Sequence, residues 1–373
     1  MLLRSLSLQH FRSHHTFQCE FTDRATILIG PNGSGKSSIL EAIHLFSIGK
    51  SIRALQTSEM ISLGKELARV QVVATIETAR QATSEVNTPQ AKTAQAVTSQ
   101  AGDFDSGHKA GSGTEDNGNN DADNEGADDV DESEQVELEA MITRGIVGGR
   151  KTSSKLWSVN GVRRAQRTAV GSLKSVLFRP EDMRLIEGSP ARRREYLNAP
   201  LAQLFPEYRT AIDTYDKYLT RRNRLLQAVR EGEQPRTVLT YWNEGLLKHG
   251  QIIQRHRQQF FTTLPLLQIA LPFTATYQPS VISLERQRQY LEKEIAVGHT
   301  LIGPHKDDFV VFLPSSWLPP GAVLPENLVS AGTAPAFSVT IYGSRGQQRL
   351  AVLWLKLAEA AYLHSVSGEK PLL

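Results

Sequence analysis

The chain has 373 residues, 40% of them hydrophobic, with 27 glycines and 17 prolines, an ordinary globular composition with room for one large domain or two lobes. A single cysteine, Cys19, excludes an intramolecular disulfide and a cysteine-rich zinc site, and it fits a reducing compartment. The opening Met1-Leu2-Leu3-Arg4 leads into polar residues, and nowhere do roughly 18 apolar residues run together, so neither a signal peptide nor a membrane span is expected and the cytoplasm is the expected location.

The net charge of +3 is unevenly spread. Between Asp103 and Glu139 there are 14 acidic residues against one basic residue, Lys109, a local balance of −13 that leaves +16 on the rest of the chain. A remainder that basic attracts a polyanion such as nucleic acid.

Along the chain, Leu2 to Phe21 alternates as a strand pair, and Ala25-Thr26-Ile27-Leu28-Ile29 reads as a short buried strand. A glycine-rich turn follows, and Ser37 to Ile48 has helical spacing of apolar positions. Strands are expected at Arg69–Ile76 and Val136–Thr143. Between them, 81–134 is rich in Ser, Thr, Gly, Asn, Asp and Ala. It buries too little apolar surface to offset its ordering entropy and is expected to be a disordered acidic insert in a hairpin loop. Its acidity could mimic DNA, but a tolerated, solvated insertion is the simpler reading. Asn160-Gly161, flanked by Trp157-Ser158-Val159 and Val162, signals a tight hairpin.

From Leu201 the pattern changes. Leu201, Phe205, Tyr208, Ile212, Tyr215 and Leu219 recur at spacings of four and three, a seam that Arg222 breaks and Leu226 resumes. Leu239, Trp242, Leu246, Ile253 and Phe260 suggest a returning helix, which completes a helical hairpin. Strand and loop character returns after Pro272, and a last helix is expected from about Gly346 to His364.

The strongest chemical signal is Gly30-Pro31-Asn32-Gly33-Ser34-Gly35-Lys36-Ser37, which satisfies the P-loop pattern G-x-x-x-x-G-K-[ST]. Glycines let backbone N–H groups curl around phosphate oxygens, and the following helix adds the partial positive charge of its N-terminus. Lys36 would contact the β- and γ-phosphates and the Ser37 hydroxyl would bind Mg²⁺, with Ser38 next in the cradle. A second signal, Tyr342-Gly343-Ser344-Arg345-Gly346-Gln347-Gln348-Arg349, precedes an apolar helix. It resembles the signature motif of ATP-binding-cassette ATPases, in which Ser and Gly at a helix N-terminus cap the γ-phosphate of ATP held by a second subunit. Here Ser344, Gly346 and Gln347 would do so. Alone, the same residues could be a plain helix cap.

Together these segments resemble the RecF family, bacterial recombination and gap-repair ATPases similar to the heads of SMC proteins. The resemblance runs through Leu8-Gln9-His10-Phe11-Arg12, the P-loop, Leu40-Glu41-Ala42-Ile43 and Gly49-Lys50-Ser51-Ile52-Arg53. It continues with Pro180-Glu181-Asp182, Gly188-Ser189-Pro190, Arg192-Arg193 and Arg222-Asn223. Most specific is Thr300-Leu301-Ile302-Gly303-Pro304-His305-Lys306-Asp307-Asp308, like the family's G-P-H-[RK]-D-D motif, and Leu355 to Ala360 closes the match.

The resemblance implies an α/β fold: an ABC-type P-loop ATPase head lobe from 1–179 and 271–373, with a helical second lobe inserted at 180–270. It implies ATP and Mg²⁺ as cofactors, an ATP-dependent homodimer on double-stranded or gapped DNA, and RecR and RecO as helpers that load RecA at single-strand gaps. No membrane partner is implied. DNA contacts are expected among Lys50, Arg53, Arg192, Arg193, Arg194, Arg221, Arg222 and Arg224, taken as clusters. His305, Asp307 and Asp308 could hold a metal, but a polar turn leading into a strand is the plainer reading; His249 and His256 read as surface or partly packed residues.

Two departures stand out. Tyr196-Leu197-Asn198 replaces the family's Phe-Leu-Asp. Glu369-Lys370-Pro371-Leu372-Leu373 looks like the start of the strand that should carry the Walker B carboxylates, with the D-loop and switch histidine to follow. The expectation is a C-terminal truncation that binds ATP but hydrolyses it slowly, so no catalytic residue is assigned. The rival readings are a non-hydrolysing DNA-binding scaffold, a transporter's nucleotide-binding subunit, which would lack the Gly303-Pro304-His305 motif, and a GTPase, which would need an N-K-x-D motif not found here.

Overall fold

The computed structural model describes residues 1–22, 25–77, 133–317 and 337–373. The expected acidic insert lies outside the described residues apart from its last two positions. Met1–Thr78 and Ser133–Leu373 form one compact unit.

Its N-terminal part is an antiparallel sheet in the order β2-β1-β3-β4-β7-β8, from β1 (Leu2–Phe11), β2 (His14–Glu20), β3 (Leu67–Glu77), β4 (Ser133–Thr143), β7 (Lys155–Val159) and β8 (Val162–Arg164). The register carries the predicted alternation across the sheet: Leu8, Val70, Ala140 and Trp157 line up on the buried face, and Ser7, Gln71, Glu139 and Ser158 on the other. Helix α1 (Lys36–Ile48) packs Ile39, Ala42, Leu45 and Phe46 into the same core. A short hairpin, β5 (Ile146–Val147) and β6 (Arg150–Lys151), stands between β4 and β7. The expected turn at Asn160-Gly161 joins β7 to β8 with φ of 51° and 73°, the left-handed pair that a type I′ turn requires.

The strand expected at Ala25–Ile29 is not formed. These residues are coil, with Ile27 81% and Ile29 90% exposed, and only Leu28 packs against the core. A strand is stabilised by its neighbours, and among the described residues none pairs with this segment. Parallel pairing occurs instead at one bridge, Ser175 to Leu372, where Val176 N donates to Leu372 O at 2.8 Å and Leu372 N to Lys174 O at 2.9 Å.

After α2 (Gln166–Ala169) and α3 (Arg184–Glu187), the chain enters the helical part: α4 (Pro190–Leu204), α5 (Pro206–Arg230) and α6 (Thr240–Thr263). Helices α5 and α6 are the expected helical hairpin. A second sheet, β11-β10-β9, from β9 (Thr274–Gln278), β10 (Asp308–Leu313) and β11 (Phe337–Ser338), follows with α7 (Leu284–Val297), α8 (Val339–Tyr342) and α9 (Arg345–Ser367). The apolar side chains of β9, β10 and α9 share one core with those of α4 to α6, while Leu372 packs on the first core.

Two expectations need correction here. Helix α7 lies where strand and loop were expected; its buried positions include Gln287 and Glu294, so the apolar period that marks a helix is missing, although Ser283 caps it by accepting from Arg286 N. Arg222 does not break the α5 seam. It is 1% exposed on the buried face, where its guanidinium donates to Glu294 Oε2 at 2.6 Å, Thr300 Oγ1 at 2.8 Å and Asn243 Oδ1 at 2.6 Å.

Candidate functional site

The glycine-rich turn and α1 form a phosphate cradle. Gly33 and Gly35 have φ of 83° and 93°, and a Cβ on Gly35 would collide with the His14 ring and Ser13 Oγ. The tip of the β1–β2 hairpin therefore presses on the loop, with His14 Nε2 3.1 Å from Gly35 O. Arg12 pins that tip to α1: its guanidinium grips the buried Glu41 carboxylate at 2.7 and 3.0 Å. A helix's first N–H groups lack partners one turn back. Those of Ser38 and Ile39 turn to Gly35 O, which leaves Lys36 and Ser37 to offer theirs to an anion.

Lys36 Nζ donates to Gly30 O at 2.6 Å and Pro31 O at 2.7 Å, folding over the loop where phosphate oxygens could replace those carbonyls. The loop opens into a cavity of about 840 Å³ lined by Asn32 to Ser38, with Arg12, Arg53 and Arg144 opposite. The free backbone N–H groups of Lys36 and Ser37, the Lys36 ammonium and the three arginines lining the cavity suit a triphosphate, and the Ser37 hydroxyl could offer one ligand to a magnesium ion. Among the described residues, Glu59 is the one carboxylate lining this cavity, and its Oε2 accepts from Leu55 N. No step of hydrolysis is assigned to it.

The signature residues lie elsewhere. Ser344 caps α9 with a reciprocal box: Ser344 Oγ accepts from Gln347 N at 3.3 Å and Gln347 Oε1 accepts from Ser344 N at 2.8 Å. The helix-cap reading is thus met, and this N-terminus is exposed with open space around Gly346. Ser344, Gly346 and Gln347 do not line the P-loop cavity.

The basic residues fall into separate environments. Arg53 lies at the P-loop cavity, and Lys50 and Arg192 line a second cavity of about 330 Å³ reached from α1, α4 and α9. Arg193 is held by Asp308 at 2.5 and 2.9 Å and by Gly188 O, and Arg194 donates to Asp307 O at 3.0 Å, so both brace the fold. Arg222 is corrected from DNA contact to buried ion pair, because it is out of reach of any ligand. Arg221 and Arg224 remain exposed on α5.

The Gly303–Asp308 motif spends its groups internally. Asp307 is fully buried and accepts from Arg257 at 2.8 Å, Gln254 at 2.9 Å, Ser280 N at 2.8 Å and the Tyr277 hydroxyl. His305 Nε2 faces Thr300 O at 3.1 Å, so it carries the proton, and Nδ1 accepts from the Tyr215 hydroxyl at 2.8 Å. Burial, helped by Lys306 and Arg194, lowers its pKa from 6.5 to about 4. Among the described residues no cluster of His, Cys, Asp and Glu could hold a metal ion, so the metal reading of this motif falls. Asn198 now has a role: its Oδ1 accepts from Tyr208 at 2.8 Å and from Arg257 at 3.1 Å, and a neutral oxygen suffices because Asp307 already neutralises that arginine. His256 is buried, contrary to expectation, with Nε2 2.7 Å from Glu207 Oε1.

A P-loop helix packed under an antiparallel sheet, joined to a helical part whose last long helix opens on a Ser-x-Gly-Gln cap, defines an ABC-type ATPase head. The family described as the RecF/RecN/SMC N terminal domain matches residues 2–369. The DNA replication and repair protein RecF of Gloeobacter violaceus is 31% identical over 396 residues, covering 100% of this chain and 84% of that protein. RecF of Thermomicrobium roseum is 30% identical over 408 residues, covering 100% of this chain and 85% of that one. Among solved structures, the recombination mediator protein RecF, as RecF-ATPrS in the RecFOR pathway, matches with a TM-score of 0.71 at 22% identity, covering 99% of this chain and 83% of that chain. This chain belongs to the RecF family of DNA replication and repair proteins. Among the described residues no helix is long and apolar enough to cross a membrane.

Proposed function

We propose that this chain is an ATP-operated DNA clamp. ATP with Mg²⁺ binds at Gly30 to Ser38, and the Ser344–Gln347 end of α9 from a second copy caps the γ-phosphate. The paired heads then hold double-stranded DNA near single-strand gaps, where RecR and RecO help load RecA. In this reading the chain keeps two lobes, 1–179 with 271–373 and 180–270, and the exposed Arg221 and Arg224 take DNA phosphates. One observation carries the reading. The chain presents two exposed helix N-termini suited to an anion, and the second lines no part of the cavity formed by the first. A solved RecF structure described as RecF-ATP supports the nucleotide.

The test is sedimentation of the full chain with and without a non-hydrolysable ATP analogue and Mg²⁺. The nucleotide should convert monomer to dimer. Lys36→Met and Ser344→Arg should each abolish the dimer, and mixing the two variants should restore part of it, because one composite site is then intact. A monomer at saturating nucleotide, with DNA binding indifferent to ATP, would replace the clamp by the passive scaffold.

A further inference from the structure

From Ala140 to Pro180 the sequence holds nine basic residues and no Asp or Glu. The structure gathers part of this run around one groove of about 340 Å³, at the sheet edge where β7 and β8 meet the start of α2. Its polar walls are Ser153, Lys155, Arg163, Arg164 and Gln166, so every charged group lining it is a cation. Trp157 completes the wall; it is 3% exposed, and its indole N–H finds no acceptor among the described residues.

The cations are uncompensated. Arg163 and Arg164 are exposed on the edge strand, and among the described residues neither has an ion-pair partner. Lys155 is half-buried, and among the described residues its ammonium donates to Gly49 O alone, at 2.9 Å. Burial and the nearby Lys50 lower its pKa, and among the described residues no carboxylate raises it in return. Arg164, paired with Trp157, shares the face of Lys155, and Arg163 lines the groove from the neighbouring position of the edge strand. A half-buried ammonium without a paired carboxylate is costly unless an anion arrives. Arginine forks match the oxygens of a phosphate, and the hydroxyl and amide of Ser153 and Gln166 can only help to hold them.

We propose that this groove is a site for a phosphate group, supplied by the backbone of bound nucleic acid. The proposal rests on the DNA-binding reading above and adds a contact that the motifs do not mark. A contact to a backbone phosphate carries no base information and is therefore indifferent to sequence.

The test uses the full chain with ATP and fluorescently labelled gapped duplex DNA, titrated between about 50 and 200 mM salt. Arg163→Gln/Arg164→Gln should weaken binding equally for unrelated sequences and reduce the slope of log K against log salt by about one to two. Arg236→Gln/Lys293→Gln removes the same charge from the helical part and should leave the slope unchanged. An unaltered slope in the Arg163/Arg164 variant, with wild type binding DNA, overturns the proposal. Failure of wild type to bind any DNA would sink the clamp reading, and inorganic phosphate then tests the groove itself. That titration uses Lys36→Met, which disables the P-loop, and follows tryptophan fluorescence. A saturable response lost on adding Lys155→Gln would keep an oxyanion site and overturn nucleic acid as its source; no response overturns both.

Discussion

The P-loop and the Gly303–Asp308 turn look alike in sequence: glycine, proline, and basic and polar side chains packed into eight or fewer residues. The structure gives them opposite economies of hydrogen bonds. In the P-loop, Lys36 and Ser37 keep backbone donors free, Lys36 Nζ rests on two carbonyls, and the loop faces a wide cavity. In the other turn, each side-chain oxygen of Asp307, both ring nitrogens of His305 and both oxygens of Asp308 are engaged. Free donors are the mark of a ligand site, and satisfied ones mark a structural joint.

The comparison is broken most severely at Asp307. Asp307→Ala leaves Arg257 buried without its carboxylate, at a cost of about 3–5 kcal/mol, read from the urea midpoint. Lys36→Met should change stability by no more than about 0.5 kcal/mol, because Lys36 is a surface residue, while nucleotide binding is lost. If the two variants exchanged these outcomes, the distinction between site and joint would collapse. The pair of Arg222 and Glu294 sharpens the point. Arg222→Met should cost about as much as Asp307→Ala by stranding Glu294, and adding Glu294→Leu should recover much of the loss.

The next effect is a pH dependence. His305 and His44 titrate near 6.5 when unfolded and near 4 in the native state, chiefly through burial. Around His44, Lys356 and Arg179 add to the lowering, and Nδ1 contacts Ser175 Oγ at 2.7 Å. The unfolded chain therefore takes up these protons first as pH falls. Stability from each is complete above about pH 6.5, declines between 6.5 and 4, and is gone below, a loss of about 3 kcal/mol per histidine. Urea unfolding across this window should show the loss, and His305→Asn should flatten the slope. An equal slope in the variant would mean that His305 is not held neutral.

Much of this was legible in the sequence where one period dominates. Strands β3 and β4 alternate cleanly because one face is solvated, β1 does so only in part because its register shifts between Leu3 and Ser5, and the Asn160-Gly161 turn declares itself by its chemistry. Where polar groups are buried, the signal inverts. Gln287 and Glu294 hide α7, and Arg222 reads as an interruption although it is a core residue, because burial of a charge depends on partners 21 to 78 positions away. The Ala25–Ile29 segment fails for the converse reason, having the residues of a strand without a neighbour to pair with among the described residues. The turn ahead of α1 and the α9 cap were legible as local geometry, since Gly33 and Gly35 take the positive φ that glycine allows and Ser344 and Gln347 form a reciprocal cap. No motif marks the groove at Lys155, Arg163 and Arg164, and its only trace in the sequence is the acid-free stretch from Ala140 to Pro180.

The smallest effect separates the two meanings of Ser344. As an N-cap it accepts one backbone hydrogen bond, so Ser344→Ala should cost about 1 kcal/mol of stability, and Gln347 still closes the other half of the box by accepting from the backbone N–H of residue 344. Ser344→Asp keeps a capping oxygen, and the added charge favours the helix N-terminus, so stability should be held or slightly raised. That same charge would face the γ-phosphate of nucleotide brought by a second copy. Thermal unfolding should rank the chains aspartate, serine, alanine, whereas nucleotide-dependent association should rank them serine, alanine, aspartate. The two orders agree only if Ser344 is a cap and nothing more.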